Sequence, residues 1–152
     1  MAPDSETCVG KFLRHKSVLF VALLTLASVT PAQEKLAPEN IPGVTRVDAE
    51  AVISLVEKTP RLVIIDSRIA MDRKQGYLEG SVSLPDTETN CASLARVISA
   101  KNRPALFYCN GVKCGRSVVG VTTAKQCGYT HLYWYRGGFE DWKQKGYPYL
   151  KK

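Results

Sequence analysis

One stretch constrains this chain more than any other. Residues 105–108, Ala-Leu-Phe-Tyr, form an unbroken apolar run that stops at Cys109. Asn110-Gly111-Val112-Lys113-Cys114-Gly115 follows, and a helical pattern then runs from Arg116 to Cys127, where Gly128 ends it. A short apolar run without alternation reads as a strand buried on both faces, as in a parallel sheet covered by helices. The rest of the chain repeats that alternation. Residues 62–65 are a second apolar run, ending in Asp66, and 81–84 form a short strand stopped by Pro85. Residues 131–135 make another strand, and Gly137-Gly138 turns the chain into a short helix over 139–145. Helical spacing appears at 48–58, with Asp48 as N-cap, and at 90–100, with Asn90 as N-cap. Strands alternating with helices through short connections predict an α/β domain with a mostly parallel central sheet.

The first 32 residues differ in kind. Lys11, Arg14, His15 and Lys16 precede an apolar run over 18–29, and Thr30-Pro31-Ala32 supplies a small-residue exit. These are the three parts of a secretory signal. The run has 12 residues, whereas a spanning helix needs roughly 20. Residues 1–32 are thus expected to be a signal peptide, or an N-terminal membrane anchor if uncleaved, with 33–44 a linker and 45–152 the domain. The expected location is outside the cytoplasm, in the periplasm, with membrane contact only through the N-terminal segment. The formal net charge is +7. It is not gathered into a basic stripe or interleaved with aromatics, so no nucleic-acid partner is expected. A basic balance suits a small anionic substrate.

Cys8 lies in the leader, and Cys91, Cys109, Cys114 and Cys127 lie in the domain. No pair has C-x-x-C spacing, and His131 is the domain's one histidine, a poor set for zinc. No metal or other cofactor is expected. Four cysteines in an exported domain are compatible with two disulfides, but their crowding around one loop argues for chemistry there. In open α/β sheets ligands bind at the carboxyl ends of the strands, where Cys109 stands. Loop N–H groups and a helix N-terminus stabilise a thiolate and bind an anion. Lys113 and Arg116 supply cations, and Gly111 and Gly115 let the backbone curl inward. Cys109 is the expected nucleophile.

Three motifs carry a resemblance to the rhodanese family. Leu62-Val-Ile-Ile-Asp66-Ser-Arg68, with Gly76-Tyr-Leu-Glu-Gly80-Ser-Val-Ser-Leu-Pro85, is similar to the family's first strand and following turn. Phe107-Tyr-Cys109 with Arg116-Ser117 is similar to its active-site strand and loop. Tyr135-Arg-Gly137-Gly138-Phe-Glu-Asp-Trp142 and Gly146-Tyr-Pro148 are similar to its C-terminal signature, the most specific of the three. The resemblance implies a three-layer sandwich and a sulfurtransferase. Cys109 would take the outer sulfur of an anion such as thiosulfate, become a persulfide, and pass the sulfur to a thiol, to cyanide or to an acceptor protein. Asn110, Gly111, Val112, Lys113, Cys114, Gly115 and Arg116 would form the cradle, with Arg116 and Lys113 aiding the anion. Asp66, Arg68, Gly137, Gly138 and Trp142 would serve the scaffold.

The chain also departs from the family. Arg116 stands seven positions after Cys109, about two more than in the common loop, so a wider or reshaped pocket is expected. Tyr77 and Glu79 replace the usual His and Pro and read as surface variation. Two other enzyme classes compete. A phosphatase or arsenate reductase on a similar fold would need a C-x5-R loop, and here the spacing is C-x6-R. A thiol redox protein would pair Cys109 with Cys114, a possible redox partner that reads equally well as a packed loop residue. Cys91 and Cys127 are expected to be structural.

Overall fold

The computed structural model describes residues 36–151. The expected leader, 1–32, lies outside the described residues. Within them a five-stranded, all-parallel sheet runs in the order β1-β5-β4-β2-β3. The strands are β1 (Thr45–Val47), β2 (Val63–Asp66), β3 (Val82–Ser83), β4 (Ala105–Tyr108) and β5 (Leu132–Tyr135). The helices are α1 (Ala49–Lys58), α2 (Ala70–Lys74), α3 (Cys91–Val97), α4 (Arg116–Gln126) and α5 (Gly138–Gln144).

Successive side chains on a strand point to opposite faces, and this divides the interior into two cores. Val63, Ile65, Ala105, Phe107, Leu132 and Trp134 pack with Leu94, Val121 and Ala124 of α3 and α4. Ile64, Leu106, Tyr108 and Tyr135 pack with Ala49 and Val52 of α1 and Phe139 and Trp142 of α5. The result is the expected three-layer α/β/α sandwich. β4 lies between β5 and β2 and is buried throughout, which explains its unbroken apolar run.

Local chemistry sets the helix ends. Asp48 accepts from the Ala51 N–H at 2.8 Å, as an N-cap does. Asn90 accepts from the Ala92 and Ser93 N–H groups, while Ser93 Oγ accepts from the Asn90 N–H, a reciprocal capping box. α3 stops at Val97, short of the expected residue 100. Ile98 turns to an extended conformation and buries its side chain in the core. β1 and α2 were not legible: β1 has no apolar run and gains its identity by pairing with β5, and α2 is five residues long without a side-chain cap.

Two sequence readings need correction. The part of the expected linker that is described, 36–44, is packed against the domain. Ala37 and Ile41 are buried in the core. Arg136 donates to the carbonyls of Pro38 (2.9 Å) and Ala37 (3.0 Å), and Lys125 donates to that of Pro42 (2.6 Å). Composition suggested a spacer because Pro38, Pro42 and Gly43 fall within it, yet Ala37 and Ile41 find core neighbours and Val44 packs beside them. Tyr77 is not surface variation either. It is half-buried, its ring lies 3.9 Å from the Arg73 guanidinium carbon, and its backbone pairs with Leu150.

Asp66 ends β2 with no solvent exposure. It accepts from Arg68 Nε (2.8 Å), Arg68 Nη2 (2.6 Å), Arg73 Nη1 (2.9 Å) and the Tyr108 hydroxyl (2.7 Å). Burial works against its charged form, but the Arg68 hydrogen bonds and charge, with Tyr108, outweigh it and hold the carboxyl below its ordinary range. Because the folded value is depressed, this stability is present above the unfolded pKa, near 3.9, and is lost as pH falls through the folded value. Asp66→Asn strands two buried guanidinium groups and is expected to lower stability by about 3–5 kcal/mol. It should also flatten the acid limb of a stability profile below about pH 4. Urea titrations of both proteins across that range check this.

A disulfide joins Cys91, at the start of α3, to Cys127, at the end of α4, across 36 residues. Replacing both cysteines by serine is expected to lower stability by about 2–4 kcal/mol. The shift in urea midpoint reads it directly.

Candidate active site

Cys109 follows the last residue of β4 at the carboxyl edge of the sheet and is 1% exposed. The loop that leaves it folds back at once. The Cys114 N–H donates to the Gly111 carbonyl at 2.9 Å, closing a turn over 111–114. That turn returns Cys114 to Cys109, and the two sulfurs are joined in a disulfide with Cα atoms 6.2 Å apart. The sequence left open whether these cysteines meet, and the turn is why they do.

Three elements hold the loop. On one side stands the start of α5. The Phe139 N–H donates to the Cys109 carbonyl (2.9 Å) and the Glu140 N–H to that of Asn110 (2.7 Å). Those donors belong to a first helical turn, whose N–H groups lack intrahelical partners. Gly138 permits the approach: its φ is 63°, and a Cβ there would collide with the Cys109 carbonyl oxygen and the Asn110 backbone. The second glycine of the C-terminal pair thus bears directly on the loop, whereas a Cβ at Gly137 would meet Asp141. On the second side, the Ala37 N–H donates to the Val112 carbonyl (2.7 Å). On the third, Asp72 of α2 accepts from Asn110 Nδ2 (3.0 Å) and Arg116 Nη1 (2.7 Å). One carboxylate ties together the residue after Cys109 and the first residue of α4.

The predicted cradle residues therefore sit together but do different work. Asn110 turns its amide to Asp72. Arg116 is one-third exposed and is matched by Asp72, with Asp86 3.8 Å from its Nε. Lys113 is exposed on the turn and Val112 half-buried. Gly111 is hemmed in, since a Cβ there would meet the Glu140 carboxylate, but Gly115 has open space and an ordinary φ of −84°. Neither glycine has a positive φ, and the Glu140 side chain that a Cβ at Gly111 would meet is flexible, so the backbone does not demand glycine at either position. Behind the loop, the Trp134 indole N–H donates to Ser117 Oγ (2.9 Å), fixing the first turn of α4 to β5. A cleft of about 630 Å³ opens beside the loop, lined by Val112, Arg136, Gly137 and Glu140 among others, but neither cysteine lines it. Sequence reasoning missed Asp72, Asp86, Glu140 and Ala37. A single acid or alanine carries no pattern, and each gains its role only through a distant contact.

The electrostatic balance follows from these contacts. The cation at the start of α4, Arg116, is matched by the Asp72 carboxylate, and Lys113 stands exposed on the turn. Cys109 itself is almost wholly removed from solvent.

Comparison with solved structures places the fold. The thiosulfate sulfurtransferase of Pseudomonas aeruginosa aligns with a TM-score of 0.62 at 21% identity, over 71% of this chain and 20% of that one. The polysulfide-sulfur transferase homodimer of Wolinella succinogenes gives 0.60 at 19% identity, over 72% and 80%. The BH2092 protein of Bacillus halodurans gives 0.61 at 20% identity, over 70% and 77%. At such identities the likeness is one of fold. No curated protein sequence matches the chain. The family model for the rhodanese-like domain matches residues 48–145, which takes in the sheet, the Cys109 loop and the glycine pair, and on that match the chain belongs to the rhodanese-like domain family.

Proposed function

We propose that the domain is a sulfurtransferase whose Cys109 carries a persulfide between a small anionic donor, such as thiosulfate, and a thiol or cyanide acceptor. One observation carries the reading: a cysteine at the end of the central strand, in a loop backed by one helix start and leading into another. The Cys109 thiolate attacks the outer sulfur of thiosulfate, the donor's S–S bond breaks, and sulfite leaves with the bonding pair. The acceptor then attacks the terminal sulfur and frees the thiolate. Loop and helix N–H groups stabilise both the thiolate and the persulfide anion. The disulfide form must be reduced first, because only a thiolate is nucleophilic. Neighbours of the same fold named as sulfur transferases support the activity class. Phosphate chemistry fits less well, since Arg116 is already engaged by Asp72.

Cys109→Ser is expected to abolish thiocyanate formation from thiosulfate and cyanide by the pre-reduced protein while leaving its circular dichroism unchanged, a hydroxyl being a far weaker nucleophile. Wild-type turnover in that variant would remove Cys109 from the role. Neither protein should hydrolyse an aryl phosphate.

Export to the periplasm belongs to the same reading. It rests on the charge and apolar pattern of 1–32, and the disulfide between α3 and α4 suits an oxidising compartment. Cell fractionation should recover the domain outside the cytoplasm. Recovery in the cytosol with Met1 in place would exclude it.

A further inference from the structure

We infer that Cys114 is a resolving cysteine: it attacks the Cys109 persulfide, releases the transferred sulfur as hydrogen sulfide, and so makes the domain a dithiol-dependent reductase of thiosulfate. The inference rests on the persulfide reading above and extends it to the fate of the sulfur.

Four features of the loop lead there. First, Cys109 and Cys114 are within bonding reach and bonded. Second, the contacts that shape the turn do not involve either sulfur. They are the Cys114 N–H to Gly111, Ala37 to Val112, the α5 N–H groups to Cys109 and Asn110, and Asp72 to Asn110 and Arg116. The turn therefore has its own supports when the disulfide is open, and Cys114 stays beside Cys109 as an intramolecular nucleophile. Third, the cysteines differ in access: Cys109 is 1% exposed, whereas Cys114 is only half-buried. Fourth, Cys91 and Cys127 are bonded to each other, so Cys114 is the domain's remaining thiol.

The chemistry balances. Cys109 thiolate and thiosulfate give the Cys109 persulfide and sulfite. The Cys114 thiol then attacks the inner sulfur of the persulfide, the one carried by Cys109. The bond between the two persulfide sulfurs breaks, and the outer sulfur leaves with its electron pair and the Cys114 proton as HS⁻. The sulfane sulfur is reduced, and the two cysteines are oxidised to the disulfide seen in the structure. A dithiol reductant, as a small molecule or a protein, closes the cycle. Its first thiolate attacks the more exposed sulfur of Cys114, Cys109 thiolate leaves, and its second thiol resolves the mixed disulfide. In sum, thiosulfate and a dithiol become sulfite, hydrogen sulfide and a disulfide. Access sets this direction of attack, because the sulfur of Cys109 is buried and that of Cys114 is the one a reductant reaches.

A single-turnover experiment tests this without interference from the reductant. Full-length chains carrying Cys8→Ser, with or without Cys114→Ser, are reduced, freed of reductant and mixed with thiosulfate. Released sulfite and sulfide and the protein mass are then measured. The parent should release about one equivalent each of sulfite and sulfide per chain and finish as the Cys109–Cys114 disulfide. The Cys114→Ser chain should release sulfite, keep one added sulfur on Cys109, and yield less than about a tenth as much sulfide. Cys114→Ala serves if the serine variant misfolds. A parent that holds a lasting persulfide without releasing sulfide overturns the inference and leaves sulfur transfer standing, as does equal sulfide from the variant. Absence of sulfite from both chains overturns the transfer reading and the inference together.

Discussion

A carboxylate removed from water must be met by donors, and Asp66 is met by Arg68, Arg73 and Tyr108 at once. Tyr108 belongs to β4 and Arg73 to α2, so one buried group ties the central strands to a helix too short to be stable alone. Arg68 extends the tie by donating to the Gly76 carbonyl (2.8 Å) and lying 4.5 Å from the centre of the Phe139 ring of α5. Arg73 donates also to Ser81, just before β3. Much of the sheet's carboxyl edge is thus organised from a single acid. Its place next to Cys109 follows from register: Asp66 lies beside Tyr108, the residue before the cysteine.

The same tie reaches the loop after Cys109. Fixing α2 through Arg73 also fixes its neighbour Asp72, which reaches across to Asn110 and Arg116. The loop is then held from α2, from α5 and from the segment before β1. A loop held on several sides spends little entropy on placing its groups, which favours reaction between neighbours over encounter from solution. Supports of this kind also set the course of the loop between Cys109 and Arg116. The loop makes a turn over 111–114 that carries Cys114 back to Cys109. Counting residues left a wider or a reshaped pocket equally open, because residue count does not say which way a turn folds.

The strands were legible because burial on both faces leaves an unbroken apolar run, as in β2 and β4, and α1 and α3 because their caps, Asp48 and Asn90, are local. β1 and α2 escaped because their stability is borrowed, from pairing with β5 and from Asp66 respectively. The 36–44 segment was misread for a related reason: prolines signal an extended chain, but the burial of Ala37 and Ile41 depends on neighbours far along the sequence.

By itself the sequence determined the α/β class, the alternation that builds a parallel sheet, the position of Cys109 at the end of its central strand, and the family. All of these rest on periodicity, on turn residues or on motifs contiguous in the chain. Tertiary structure alone decided what surrounds the cysteine. Asp72 and Arg116 are 44 residues apart and form one ion pair. Arg136 reaches carbonyls nearly a hundred residues upstream, at 98 and 99 positions' separation. Whether Arg116 is an open anion receptor or a neutralised brace, and whether Cys114 points at Cys109 or away, depends on such contacts. Each is short in space and long in sequence, so no local pattern records it.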